Sequence, residues 1–174
     1  MDTLEAIRNR HSTRSFLDKE VGEDDLMTIL ESGMTGPSAC NRRPWEFVVV
    51  RKKETMEKIR EGNLAAKPLS SAPVLVVVAA DTAKAIRRAP LYWTEDAAAA
   101  TQNMILAATS LGIGSLWMGV WPEEEKMERL SSLLSLPEGI VPFSMVALGY
   151  SADQGESMWK KCGREENRIH LETW

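Results

Sequence analysis

The chain has 174 residues, 44% hydrophobic and 26% charged, and its 21 Lys and Arg against 25 Asp and Glu give a formal net charge of −4. That length fits one domain with a sizeable core, and it leaves no room for separate cofactor-binding and catalytic domains. The acidic balance argues against a general nucleic-acid coat. The longest apolar run, Val74 to Ala80, falls far short of the ~20 residues that cross a bilayer. The acid-bearing start Met1-Asp2-Thr3-Leu4-Glu5 is expected to carry no secretory signal. Two cysteines, Cys40 and Cys162, make no disulfide framework, so a cytoplasmic, reducing location is expected.

The elements read in order as follows. Asp2 and Glu5 have capping-box spacing and predict a short helix over Asp2 to Arg10. Glu23-Asp24-Asp25 suit a helix N-terminus, and Leu26, Ile29, Leu30 and Met34 share one face of a helix that ends before Gly36-Pro37. A loop over Pro37 to Pro44 leads to a strand over Glu46 to Val50, and a helix from Glu54 to Arg60 stops at Gly62. Val74 to Val78 lacks alternation and predicts a strand buried on both faces. Asp81 to Pro90 is polar and irregular. Leu91 to Leu111 carries the longest helical pattern, closed by Gly112. A strand over Ser115 to Val120, a helix starting at Pro122, and a strand over Val141 to Leu148 complete the core, with a tail from Gly149. Interleaved helices and four or five strands predict an α/β or α+β domain without fixing strand order.

Several motifs fail on context. Gly112-Ile113-Gly114 follows a helix and precedes a strand, the reverse of a dinucleotide fingerprint. His11, Cys40, Cys162 and His170 lack zinc spacing, so no bound metal is expected. Ser38, in Gly-Pro-Ser-Ala-Cys, is not a hydrolase elbow, and Cys40 reads as a small filler. With no residue pattern for nucleophilic or acid–base work, an enzyme on this chain is expected to borrow a cofactor.

The most pointed signal is Arg8-Asn9-Arg10-His11-Ser12-Thr13-Arg14-Ser15, which packs three arginines, a histidine and three hydroxyls into eight residues of an acidic chain. Arginine forks match phosphate oxygens in pairs. In an extended segment Arg10, Ser12 and Arg14 share a face and can converge on one anion. The competing reading is a solvated basic loop.

Arg10 to Phe16 resembles the FMN-phosphate segment of nitroreductase-family flavoproteins. Pro37-Ser38-Ala39-Cys40-Asn41-Arg42-Arg43-Pro44-Trp45-Glu46-Phe47 resembles the family's Pro-Ser-x-x-Asn-x-Gln-Pro-Trp loop. Asp96 to Asn103, Leu111 to Gly119 and Ala147 to Tyr150 are similar to its central helix, its glycine-rich segment and its last strand end. The blocks stand in family order and span nearly the whole chain.

The resemblance implies an α+β, three-layer α/β/α sandwich over residues 1–174, with a mixed, mainly antiparallel sheet of about five strands. A C-terminal arm, about 151–174, would be exchanged in a homodimer. It implies non-covalent FMN at the dimer interface, hydride from NADH or NADPH, and nitroaromatic, quinone or related acceptors in a ping-pong cycle. The alternative is a flavin-binding sensor or carrier without turnover. Neither nucleic acid nor membrane is an expected partner. By position, Arg10, His11, Ser12 and Arg14 would grip the phosphate and the ribityl chain or pyrimidine edge, with Arg14 also tuning the ring, and no residue acting as catalyst itself. Pro37, Ser38, Ala39 and Asn41 would touch the partner's flavin, Asn63 the pyrimidine, and Trp117, Met118 and Gly119 the dimethylbenzene or N5 side. Lys161 or Arg164 of the arm would complete the phosphate site. The chain departs from the family pattern at Arg43, where glutamine is usual, and in an arm without the proline-rich form.

Overall fold

A computed structural model describes residues 1–61, 64–153 and 155–174. Its helices are α1 (Thr3–Asn9), α2 (Glu23–Met34), α3 (Lys53–Arg60), α4 (Tyr92–Ser110), α5 (Glu124–Leu134) and α6 (Met158–Cys162). Its strands are β1 (Trp45–Val50), β2 (Val74–Asp81), β3 (Gly114–Gly119) and β4 (Ile140–Gly149).

Local chemistry sets most boundaries. The Glu5 N–H donates to Asp2 Oδ1 at 2.9 Å while the Asp2 N–H donates to Glu5 Oε2 at 3.2 Å, so the capping box starts α1 as its spacing predicts. At the end of α4, Gly112 takes φ +74°, its N–H reaches Thr109 O, and the Ile113 N–H reaches Ala108 O at 2.8 Å. Only a residue without Cβ adopts that conformation freely, and the paired bonds satisfy the last carbonyls. Helix α5 begins at Glu124 rather than at Pro122. The Val120 and Trp121 N–H groups are still bonded to Phe143 O on β4 and hold the chain in the sheet to that point.

Among the described residues the sheet has four strands in the order β1-β2-β4-β3, every pair antiparallel. The expectation of about five strands in a mixed sheet is corrected accordingly. Among the described residues the parallel component is one bridge, Ser12 to Ser115, on the free edge of β3, and past Tyr150 the chain makes an isolated antiparallel bridge, Ser151 to Phe16, rather than a fifth strand. The layers are as expected. Val74, Val76 and Val78 of β2 pack with Leu26, Ile29 and Met104 of α2 and α4. Leu75 and Val77 face the opposite way, toward Met56, Ile59 and Leu130 of α3 and α5. From Val74 to Ala80 every residue of β2 is 0% exposed. Both faces are apolar, which is why the run does not alternate.

Candidate active site at the edge of β3

The basic segment is held extended between two partners. On one side the Thr13 N–H donates to Ser115 O of β3 at 2.9 Å. Thr13 is fully buried, and a Cβ on Gly114 would stand 2.6 Å from its Oγ1, so glycine permits the approach. On the other side the Leu17 N–H donates to Tyr150 O and the Ala152 N–H to Ser15 O. Arg14 then emerges exposed, its Nη1 3.2 Å from Ser12 O, while Phe16 is buried.

Asp153 closes this arrangement. Its Oδ2 accepts the N–H groups of Arg14 (2.9 Å) and Ser15 (3.2 Å), and its Oδ1 lies 2.8 Å from the Ser151 hydroxyl. Burial pushes its carboxyl up, but the Arg14 N–H, the Ser151 hydroxyl and the Ser15 N–H together hold it below the ordinary carboxylate value. His11 turns toward this cluster, with Nε2 3.4 Å from Thr13 Oγ1 and 4.0 Å from Asp153 Oδ1.

A cavity of about 690 Å³ opens beside the segment. It is lined by Arg14 and Ser15, by Lys67, Pro68, Ser70 and Ser71, and by Leu116 to Gly119 of β3, which supply its apolar floor. A Cβ added to Gly119 would meet nothing within 4 Å, so the space above the floor is open there. The volume lies within the roughly 300–1,000 Å³ of small-molecule sites. Two cations and three hydroxyls rim an apolar floor, which suits a flat ring system with an anionic end.

Of the residues expected at the site, the structure gathers Arg14, Trp117, Met118 and Gly119 on this cavity, with Ser12 anchored beside Ser115. Arg10 is half-exposed next in the same segment. Pro37, Ser38, Ala39 and Asn41 do not line it. Their loop enters β1, the opposite edge of the sheet, three strand spacings or about 14 Å from β3. Lys161 is exposed on α6, and Arg164 is 70% exposed and lies 3.6 Å from Glu166; neither lines the cavity in this chain. Asn63 lies outside the described residues.

The 37–44 loop is nonetheless built with care. Cys40, Asn41 and Arg43 hold φ near +50°, each a strained conformation costing about 1–3 kcal/mol. Two bonds pin them, Ala39 N–H to Asp96 Oδ1 (2.8 Å) and Arg43 N–H to Ser38 Oγ (2.9 Å). Burial pushes the Asp96 carboxyl up despite the Ala39 N–H. Cys40 is exposed, so it is not a filler. Trp45 is core at 6% exposure, and Trp93 packs edge-to-face on Trp121, with ring centroids 4.9 Å apart.

Sequence reasoning missed Lys67, Ser70, Ser71 and Asp153. Lys67 and Ser70 belong to a 3₁₀ helix (Leu64–Ser70) with no periodicity, Ser71 follows it in a turn, and Asp153 acts through backbone groups that leave no residue pattern. The single available signal was the cluster of Lys, Pro and Ser just before the buried strand.

The chain matches the profile of the Nitroreductase family over residues 7–68 and 60–150. A protein of Methanothermobacter thermautotrophicus provisionally named NADH dehydrogenase/NAD(P)H nitroreductase is 42% identical over 174 residues, which is 100% of this chain and 88% of that protein. A crystal structure from Parabacteroides distasonis with the same provisional name superposes with a TM-score of 0.92 at 33% identity, covering 99% of this chain and 98% of that one. A provisionally named nitroreductase of Desulfovibrio desulfuricans, solved in complex with FMN, gives 0.82 at 28% identity over 99% and 97% of the two chains. With the fold, the β3-edge cavity and the profile in register along one chain, this protein belongs to the nitroreductase family.

Proposed function

We propose that the chain is an FMN-dependent oxidoreductase that draws hydride from NADH or NADPH and reduces nitroaromatic, quinone or related acceptors. It acts as one FMN-binding domain over residues 1–174, in a cytoplasmic homodimer. The observation that carries the reading is that Arg14 and the Trp117-Met118-Gly119 strand end line one cavity, cationic at its rim and apolar at its floor. The relatives' names support the donor and the cofactor. The cavity's chemistry suits that cofactor: cations and hydroxyls for a phosphate and ribityl chain, an apolar floor for the ring, and open space at Gly119.

When bound, FMN supplies the two-electron chemistry between donor and acceptor, so the protein needs no nucleophile of its own. Its residues bind and orient. Arg10, His11, Ser12 and Arg14 hold the phosphate and ribityl end, Arg14 by a charge-assisted fork. Arg14 also favours negative charge gathering in the cavity as electrons arrive. Trp117, Met118 and Gly119 would hold the ring, and the open space at Gly119 would leave room for donor and acceptor in turn. Asn63 and one of Lys161 and Arg164 complete the contacts. Pro37, Ser38, Ala39 and Asn41, at the far edge of the sheet, serve the partner's cavity.

The test is absorbance in the flavin band while NADH or NADPH is titrated into FMN-loaded protein. Bleaching, followed by recovery on adding a quinone, is expected. FMN that binds but never bleaches overturns turnover and leaves a flavin-binding carrier. Arg14→Ala is expected to weaken FMN binding about 10–100-fold, the loss of one hydrogen-bonded charge, read by fluorescence titration.

A further inference from the structure

Asp153 puts a negative charge beside a segment read as the grip of a phosphate. Simple electrostatics opposes that placement, because a carboxylate near a bound anion repels it. The geometry shows what offsets the repulsion. One oxygen accepts two consecutive backbone N–H groups, those of Arg14 and Ser15, at 2.9 and 3.2 Å. The other lies 2.8 Å from the Ser151 hydroxyl, which ties the carboxylate to the strand end. Together with Thr13 N–H to Ser115 O and Ala152 N–H to Ser15 O, these bonds fix the backbone on both sides of Arg14. Among the described residues the Arg14 side chain has no carboxylate partner; its Nη1 donates to Ser12 O. The carboxylate therefore binds the backbone under Arg14 and leaves the guanidinium for a ligand.

We infer that Asp153 is a positioning residue for anion binding: it orders the Arg14–Ser15 backbone before the ligand arrives, so that ordering is not charged against affinity. This rests on the phosphate-site reading above. Asp153 touches no ligand in this account and acts only through the segment it holds.

The test compares dissociation constants for FMN and for riboflavin, which shares the ring and lacks the phosphate. It uses the full chain and its variants Asp153→Ala, Asp153→Asn and Asp153→Glu. The unsubstituted chain is expected to prefer FMN. In Asp153→Ala the preference falls about tenfold or more, the scale of losing a hydrogen-bonded charge, while riboflavin affinity stays put. Asp153→Asn restores much of it, because the amide oxygen accepts the same N–H groups. Asp153→Glu keeps the charge but moves it by a methylene, and it loses the preference.

A charge that merely stands by gives the opposite sign: FMN binds more tightly in both the alanine and asparagine variants and unchanged in the glutamate variant. Either result overturns the inference, as does a preference that survives Asp153→Ala. A general folding defect lowers FMN and riboflavin affinity together, and that too overturns it. Should Asp153→Ala not fold, the asparagine and glutamate variants still decide by their opposite responses. If the unsubstituted chain shows no preference for FMN, the phosphate-site reading itself is wrong, which the other outcomes do not imply.

Discussion

Strand β2 and the C-terminal tail both carry large apolar side chains, packed in sequence in β2 and scattered among charged residues in the tail, and they meet opposite fates. Val74 to Ala80 is wholly buried, with strands on either side and helices on both faces. In the tail Ile169 is 54% exposed, Leu171 81% and Trp174 fully, and the Trp174 ring stacks on His170 with centroids 4.2 Å apart. Whether such a side chain is buried follows the surfaces that its segment meets as well as the residues around it. A soluble chain seldom leaves so many large apolar groups together in water unless another surface covers them. Such exposure is what the exchanged arm implied by the family resemblance requires, and the proposed homodimer would cover it.

Loss of packing in the core gives the largest effect. Leu148 is 0% exposed and lies in register with Val74 and Ser115. Leu148→Ala is expected to destabilise the fold by about 2–5 kcal/mol, the span of leucine truncations at buried sites, read as a fall in the urea midpoint. An effect below about 1 kcal/mol would mean that the sheet relaxes around the cavity and that the contrast with the tail is weaker than the burial suggests.

The second effect sharpens the other half of the contrast. Deleting residues 163–174 removes the exposed apolar groups and keeps α6, which packs on α1 through Arg8, 5.3 Å from the Trp159 ring centroid. The full chain is expected to sediment as a dimer with a concentration-dependent melting temperature, and the shortened chain as a monomer without that dependence. Its far-ultraviolet circular dichroism should change little. A shortened chain that still sediments as a dimer breaks the comparison, because the tail would then be covering nothing that matters for association.

How far the sequence foretold all this follows the same division between local and distant causes. The capping box of α1, the glycine that closes α4 and the unalternating run of β2 are decided by neighbours in the chain, and each was legible. Strand order was not, because register depends on which faces meet across long separations. The start of α5 was misread because Val120 and Trp121 stay bonded to Phe143, a contact invisible in a run of Pro and Glu. At the site, Arg14 and Trp117 to Gly119 came from motifs. Lys67, Ser70, Ser71 and Asp153 came from none, since they are brought in by an irregular turn and by backbone hydrogen bonds.

The smallest effect contrasts the two aspartates that pin backbone loops. Asp96 and Asp153 each accept from a main-chain N–H, yet their carboxyl groups shift in opposite directions, because burial dominates at Asp96 and hydrogen bonding at Asp153. A carboxyl raised in the folded state contributes stability in acid and loses it as pH climbs through the raised value. A lowered one contributes above its unfolded value and loses it as pH falls through the folded one. Asp96→Asn keeps an acceptor for the Ala39 N–H and removes the titration. Relative to the unsubstituted chain, the variant should therefore gain stability as pH rises from about 4 toward neutrality, by less than half the Leu148→Ala effect. Taking the difference between the two proteins at each pH cancels Asp153 and every other shared titration. A difference that stays flat, or runs the other way, would show that the Ala39 bond rather than burial governs Asp96, and would make the two aspartates alike.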